Sequence, residues 1–145
     1  MNYRSIFYYF IVTKNLTFLY SCFAVLSPPT KLELILAGKA KEKQSLRAGT
    51  YILGDGLVNG YPHWLQTGDG SQEAIWFSKV GSAWLVNKKS RLGTDYGGIS
   101  GPNGIDSYPN EIKQGWEYGD GTNWHEVPSS DVIFKAFDSN PKAVK

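Results

Sequence analysis

Tryptophan is the residue type in this sequence that most clearly suggests a chemistry, namely ligand binding by aromatic stacking. The chain holds five Trp, nine Tyr and seven Phe among 145 residues. Each buried indole needs a hydrogen-bond partner for its N–H, so a small domain does not easily bury all five. An exposed indole can pack its face against the C–H groups of a sugar ring while nearby amides and carboxylates bind the hydroxyls. Trp64, which follows Pro62 and His63, and Trp124, at the end of a predicted hairpin, are the expected exposed residues.

The alternative for each tryptophan is a place in the core, which residue statistics favour for any single one of them. Trp76 and Trp84 lie on two segments joined by a tight turn at Gly81 and Ser82. The sequence therefore predicts that these two indoles face each other as a cross-strand pair. Exposed aromatic side chains also form the hot spots of protein–protein interfaces, so an interaction or structural domain is the alternative function.

A glycine-rich stretch supplies the other candidate ligand-binding residues. Residues 92–112 hold five Gly and two Pro and show little periodicity. A loop of this length without its own secondary structure is usually functional or mobile. Tyr96 can extend the aromatic surface, and the polar side chains of Asp95, Asn103 and Asp106 can bind hydroxyls. The same three polar side chains, with backbone carbonyls, make calcium a possible ligand, although no loop has the acidic spacing typical of calcium sites.

Catalytic chemistry has little support in the sequence. The two histidines are His63 and His125, and a metal site would need both together with carboxylates such as Asp120. His125 and Glu126 are adjacent, and adjacent side chains on a strand point to opposite faces, so they do not easily share one ion. No segment resembles a nucleophile elbow or a phosphate-binding loop. We therefore expect a binding module without enzymatic activity and without a cofactor or metal.

The charge distribution argues against nucleic acid as a partner. The whole chain has a net charge of +2, but residues 49–138 carry six basic and eleven acidic side chains, a net charge of −5. A mildly acidic body does not attract phosphate groups. Five basic residues lie between positions 31 and 47. Because this run is short and has no aromatic residue, a solvated strand end and turn is favoured over a DNA- or membrane-binding patch.

Residues 1–27 differ from the rest of the chain. Two apolar runs follow Arg4 and are separated by Lys14 and Asn15. This segment is interpreted as a secretory signal peptide, as a signal anchor, or as an aberrant N-terminus; Lys14 near the middle of the span disfavours the anchor. The chain would be secreted with a signal peptide and cytoplasmic otherwise, and a membrane is involved only with an anchor. The lone cysteine, Cys22, excludes an internal disulfide.

The elements that must position these residues are short strands. Alternating apolar residues, bounded by Gly, Asn and Asp, predict an all-β domain over residues 28–138, with a polar tail over 139–145. No helical periodicity exceeds one turn, so we expect a compact antiparallel β-sandwich or a partly closed barrel of about eight short strands. The predicted strands are 31–37, 50–53, 61–66, 74–80, 83–86, 114–118, 123–127 and 131–137. In the first strand, Leu32, Leu34 and Leu36 share one face by their spacing of two, and Asn59-Gly60 predicts a tight hairpin turn.

Three motifs follow one another in this body: Asn59-Gly-Tyr-Pro62, Trp84-Leu-Val86, and Leu92-Gly93 with Gly97-Gly-Ile99. In this order, across residues 32–137, they resemble a small Trp-rich β module that recurs, singly or in tandem, in large proteins of animals and algae. That family has no established activity, so the resemblance implies a module and supplies no site. The module usually has Gly after the Trp-Leu-Val motif, and Asn87 in that place implies an altered turn.

Overall fold

Nine antiparallel strands form one sheet, which curls into a half-barrel. The computed structural model describes residues 27–104 and 107–137, and the predictions for residues 1–26 and 139–145 lie outside them. The strands are β1 Lys31–Leu36, β2 Gly49–Leu53, β3 Trp64–Gln66, β4 Glu73–Ser78, β5 Ala83–Lys88, β6 Ile99–Ser100, β7 Glu117–Gly119, β8 Trp124–Glu126 and β9 Val132–Phe137. The predicted all-β class is confirmed, and a partly closed barrel describes it better than a sandwich of two sheets.

The sheet is a meander whose last strand returns to the first. The strand order is β8-β7-β6-β5-β4-β3-β2-β1-β9, so β8 and β9 form the two edges. At the turn before β3, Asn59 and Gly60 have φ values of 55° and 85°, and Val58 and Tyr61 exchange both backbone hydrogen bonds. Positive φ at both central residues is the geometry for which Asn-Gly is favoured, so the predicted hairpin turn is confirmed.

The core lies mainly on one face of the sheet. On β1, Leu32, Leu34 and Leu36 are buried and alternate with partly exposed residues, as predicted from their spacing of two. We call the cluster they belong to the inner core. A smaller outer cluster of Ala74, Trp76 and Leu85 lies on the opposite face. All six residues of β4 are buried because the two clusters cover its two faces.

Four of the five tryptophans are buried, and each satisfies its indole N–H with a backbone carbonyl. The acceptors are Pro29 for Trp64 (2.8 Å), Thr94 for Trp76 (2.8 Å), Ser107 for Trp84 (2.7 Å) and Ile112 for Trp116 (3.3 Å). Because loop carbonyls accept these hydrogen bonds, burying the indoles does not carry the free-energy cost of an unpaired N–H.

Two predictions about these tryptophans are wrong. Trp64 is fully buried, because its strand lies between β2 and β4 and its ring packs 5.6 Å from that of Trp84. Trp76 and Trp84 do not face each other, because the register pairs Trp76 with Leu85 and Phe77 with Trp84. Trp84 and Phe77 form the cross-strand aromatic pair instead, with ring centroids 5.3 Å apart.

The basic run after β1 forms a helix and not the predicted turn, although its lysines are solvated as expected. Helix α1, Gly38–Gln44, continues into a 3₁₀ turn at Ser45–Arg47. Its buried residues are Ala40 and Gln44, one helical turn apart, while its three lysines are exposed. A helix of seven residues has only these two buried positions, which is too few to show helical periodicity. Within the described ranges, no helix is long and apolar enough to cross a membrane.

The glycine-rich stretch is more structured than predicted. It contains the two-residue strand β6 and a 3₁₀ turn at Pro109–Glu111. Strand β6 pairs with β5 on one side and β7 on the other, which joins the two halves of the sheet. Two residues are too few to show an alternating pattern, so the sequence does not reveal this strand. The turn expected at Asn87 is also not found, because β5 continues through Asn87 to Lys88.

Candidate ligand-binding groove

A groove of about 250 Å³ lies where the segment before β6 meets the β7–β8 hairpin. We call it the Tyr96–Trp124 groove; it is lined by Asp95, Tyr96, Gly97, Gly119, Gly121, Thr122, Asn123 and Trp124. The two aromatic side chains are exposed, Tyr96 by 67% and Trp124 by 47%. The predicted exposure of Trp124 is confirmed. The groove therefore presents two aromatic rings to solvent among polar and glycine residues.

Trp124 is exposed because it lies on the edge strand β8, with glycine on the side of its ring nearest the sheet. A β-carbon at Gly97 would lie 3.4 Å from Cη2 of Trp124, and one at Gly119 would lie 3.8 Å from Cζ3. Both distances are those of ordinary van der Waals contact, so the indole lies directly against these two glycines. The rest of the ring remains available to a ligand.

The opposite wall is the segment that contains Asp95 and Tyr96. The hydroxyl of Ser78 donates a hydrogen bond of 2.5 Å to Oδ1 of Asp95, which ties this segment to the end of β4. The guanidinium of Arg91 lies over the ring of Tyr96, with Cζ 5.3 Å from the ring centroid. This distance is within the range of a cation–π contact. Asp95 is exposed, so its carboxylate can also meet a ligand.

The hairpin wall is shaped by Asp120. Its Oδ1 accepts hydrogen bonds of 2.8 Å from the backbone N–H groups of Asn123 and Thr122, and its Oδ2 lies 2.6 Å from Nε2 of His125. The Asn123 N–H, the His125 side chain and the Thr122 N–H, in that order, hold the pKa of Asp120 well below its usual range. The His125 ring stacks on Tyr118 with centroids 5.0 Å apart. The turn that carries Thr122 and Asn123 is thus held in one conformation.

A partly buried polar network lies behind both walls. Nη2 of Arg47 donates to Oδ1 of Asn87 (2.6 Å), and Nδ2 of Asn87 donates to the carbonyl of Tyr96 (3.0 Å). Nη1 of Arg47 donates to Oε1 of Gln44, whose Nε2 donates to the carbonyl of Gly119. Nε of Arg47 lies 3.2 Å from Oε2 of Glu73, a carboxylate that is almost fully buried. We call these residues, Gln44, Arg47, Glu73 and Asn87, the Arg47 network.

The structure brings together three of the six predicted ligand-binding residues: Asp95, Tyr96 and Trp124 line one groove. Trp64 is in the inner core, so the prediction that it contacts a ligand is wrong. Asn103 is exposed but does not line the groove; the next residue, Gly104, donates its N–H to the carbonyl of Ser82 at the β4–β5 turn. Asp106 lies outside the described residues.

Within residues 27–104 and 107–137, no group of three or more His, Cys, Asp or Glu side chains is arranged to hold a metal ion. His63 and His125 lie in different places. His63 is buried against Gly54, and burial lowers its pKa while Asp55 opposes that shift. The possible calcium ligands Asp95 and Asn103 do not share the groove, so these two give no support to an ion there.

Sequence reasoning missed Thr122 and Asn123 of the hairpin wall and the residues of the Arg47 network. Thr122 and Asn123 carried a weak signal, because Thr122 ends the predicted turn and Asn123 begins the predicted strand next to Trp124. Asn87 carried another, because it departs from the glycine of the similar module. Gln44, Arg47 and Glu73 carried none, since isolated polar residues that are distant in sequence show no pattern before the chain is folded.

Comparisons of the chain with protein-family models, curated proteins and solved structures find no match. The resemblance to a Trp-rich module therefore stays a prediction. The function has to be inferred from the side chains of the groove.

Proposed function

We propose that this chain is a non-enzymatic module that binds carbohydrate in the Tyr96–Trp124 groove. The observation that carries the proposal is the position of Trp124, whose ring is backed by Gly97 and Gly119 yet is 47% exposed. Exposing this much of an indole forgoes the free energy of burying it, which is a reason to assign it a ligand.

The polar groups of the groove suit the hydroxyls of a sugar. Thr122 and Asn123 are exposed, and their backbone N–H groups are already bound by Asp120. A hydroxyl and an amide can each donate and accept, and the carboxylate of Asp95 accepts. A sugar ring stacked on Trp124 would meet all three kinds of group.

The size of the groove limits the ligand. Its volume of about 250 Å³ is below the roughly 300–1,000 Å³ of sites that enclose drug-sized molecules. We therefore expect recognition of a short saccharide, or of one end of a longer one.

The alternative is a protein-interaction module, which a second exposed surface favours. On the outer face of the sheet, Ile52, Ile133 and Phe137 are 42%, 37% and 42% exposed. The register places Lys31 between Ile52 and Phe137, and its Nζ lies 4.7 Å from the Phe137 ring centroid. Exposed apolar residues grouped in this way are typical of protein interfaces.

A glycan-array screen of the full chain, with and without calcium, tests the proposal. We expect a hit that shifts tryptophan fluorescence and that is lost in Trp124→Ala and in Tyr96→Ala. Leu57→Ala is the matched control, because Leu57 is 67% exposed and does not line the groove. An array without hits from folded protein, or equal binding by Trp124→Ala, would overturn the proposal. A pull-down with the variant Phe137→Ala would then test the alternative.

A further inference from the structure

We infer that Arg47 is the positioning residue of the Tyr96–Trp124 groove, and that it holds the two walls through the amide side chains of Gln44 and Asn87. The inference relies on the proposed function for its ligand, but the positioning itself can be measured without one. None of these three residues lines the groove.

The first relay, a chain of hydrogen bonds from Arg47, runs through Asn87 to the wall that contains Asp95 and Tyr96. Asn87 accepts from Arg47 at Oδ1 (2.6 Å) and donates from Nδ2 to the Tyr96 carbonyl (3.0 Å). The same Oδ1 accepts from the N–H of Lys88 (2.8 Å). The three bonds leave the amide one orientation, since a flipped amide would place its NH₂ against two donors.

The second relay reaches the hairpin wall through Gln44. Its side chain accepts from Arg47 and donates to the Gly119 carbonyl. Gly119 is one of the two glycines beneath the Trp124 ring. A movement of this carbonyl would therefore change the support of the principal ligand-binding residue.

Arg47 can act as a fixed point because its own position is determined by several contacts. Its Nε lies 3.2 Å from Oε2 of Glu73 and 3.3 Å from the Val86 carbonyl, and its guanidinium adjoins Gly98. Guanidinium is always charged and offers five donors in a rigid plane, so one group can serve several acceptors at set angles. Removing it would leave Glu73 buried without its ion partner, which is strongly unfavourable.

This arrangement means that the distance between the two walls is set by residues that do not touch the ligand. A groove held at one width loses less freedom when a ligand binds, and it discriminates better between ligands of different size. We therefore expect changes at Gln44 or Asn87 to alter affinity and selectivity before they alter folding.

Two isosteric variants separate positioning from folding. Asn87→Asp and Gln44→Glu keep the oxygen that accepts from Arg47 but replace the donor to the wall carbonyl with a second acceptor. Each variant therefore breaks one relay and leaves the Arg47–Glu73 pair in place. Gln72→Glu is the matched control, because Gln72 is exposed and lies outside the groove and the Arg47 network.

The experiment is an amide NMR comparison of the full-length variants, with a thermal melt of each and the affinity for a saccharide that the wild type binds. We expect Asn87→Asp to shift the amide signals of Tyr96 and Gly97, and Gln44→Glu those of Gly119 and the Trp124 indole. Each should weaken binding by roughly tenfold, the effect of one lost hydrogen bond, and Gln72→Glu should change neither.

Unchanged wall signals in folded variants, or shifts spread evenly over the domain, would overturn the inference. Loss of folding in either variant would also overturn it, because the relay would then support the fold and not the groove. If the wall signals move as expected but the wild type binds no saccharide, the proposed function fails and the positioning role stands.

Discussion

The guanidinium of Arg47 lies directly against the backbone of Gly98, the residue that precedes β6. A β-carbon at Gly98 would lie 2.5 Å from Nε and 2.6 Å from Nη2 of Arg47. The N–H of Gly98 also donates to the Val86 carbonyl, and its own carbonyl accepts from Gly119. Gly98 therefore provides the space in which an arginine can sit beside β5 and reach both walls of the groove.

This contact predicts a steric cost at Gly98. In Gly98→Ala the guanidinium has to move away from Glu73 and Asn87, and overpacking of this kind costs about 1–3 kcal/mol of the free energy of unfolding. Chemical denaturation measures the change. Gly81→Ala is the matched control, because the nearest atom to its new β-carbon would be Oγ of Ser78 at 3.4 Å. Equal stability of the two variants would contradict the prediction.

The different environments of Trp64 and Trp124 predict that the same substitution destabilises the fold far more at Trp64. Trp64→Phe should lower the free energy of unfolding by about 2–4 kcal/mol, because it shrinks a fully buried side chain and removes the donor to the Pro29 carbonyl. Trp124→Phe should cost less than about 1 kcal/mol, since its ring is half exposed. The measurement is urea unfolding of both variants, and a greater loss in Trp124→Phe would contradict the burial of Trp64.

The lowered pKa of Asp120 predicts that the fold becomes less stable at acidic pH. Its pKa in the fold is lowered, so its contribution is fully present above the pKa of an unfolded aspartate, about 3.9, and is lost as the pH falls through the folded value. Asp120→Asn removes this contribution while keeping an oxygen for the turn. The difference in melting temperature between the wild type and this variant should therefore shrink from pH 5 towards pH 2. A difference that stays constant with pH would show that the carboxylate charge is not involved.

Strand positions were predictable wherever four or more residues alternate. The spacing of Leu32, Leu34 and Leu36 identified the buried face of β1, and Asn59-Gly60 identified the turn before β3, because both signals are complete within a few neighbouring residues. Strand β6 and helix α1 were missed because the apolar pattern of each is too short to distinguish it from a loop.

The candidate site was only partly predictable. Asp95, Tyr96 and Trp124 were predicted as ligand-binding residues from type and local context, and the fold brings them to one groove. Trp64 had a similar context in the sequence but is fully buried. Exposure depends on whether neighbouring strands and loops cover a side chain, and the covering elements are remote in sequence.

The amino-acid sequence by itself therefore determined the all-β class, most strand positions and the aromatic character of the candidate groove. These properties follow from the backbone preferences and alternation of adjacent residues. Only the tertiary structure decided which tryptophan is exposed, and only it joined Gln44, Arg47, Glu73 and Asn87 into one network. The physical reason is that burial and hydrogen bonding between distant residues depend on the register and curvature of the whole sheet, which no local pattern encodes.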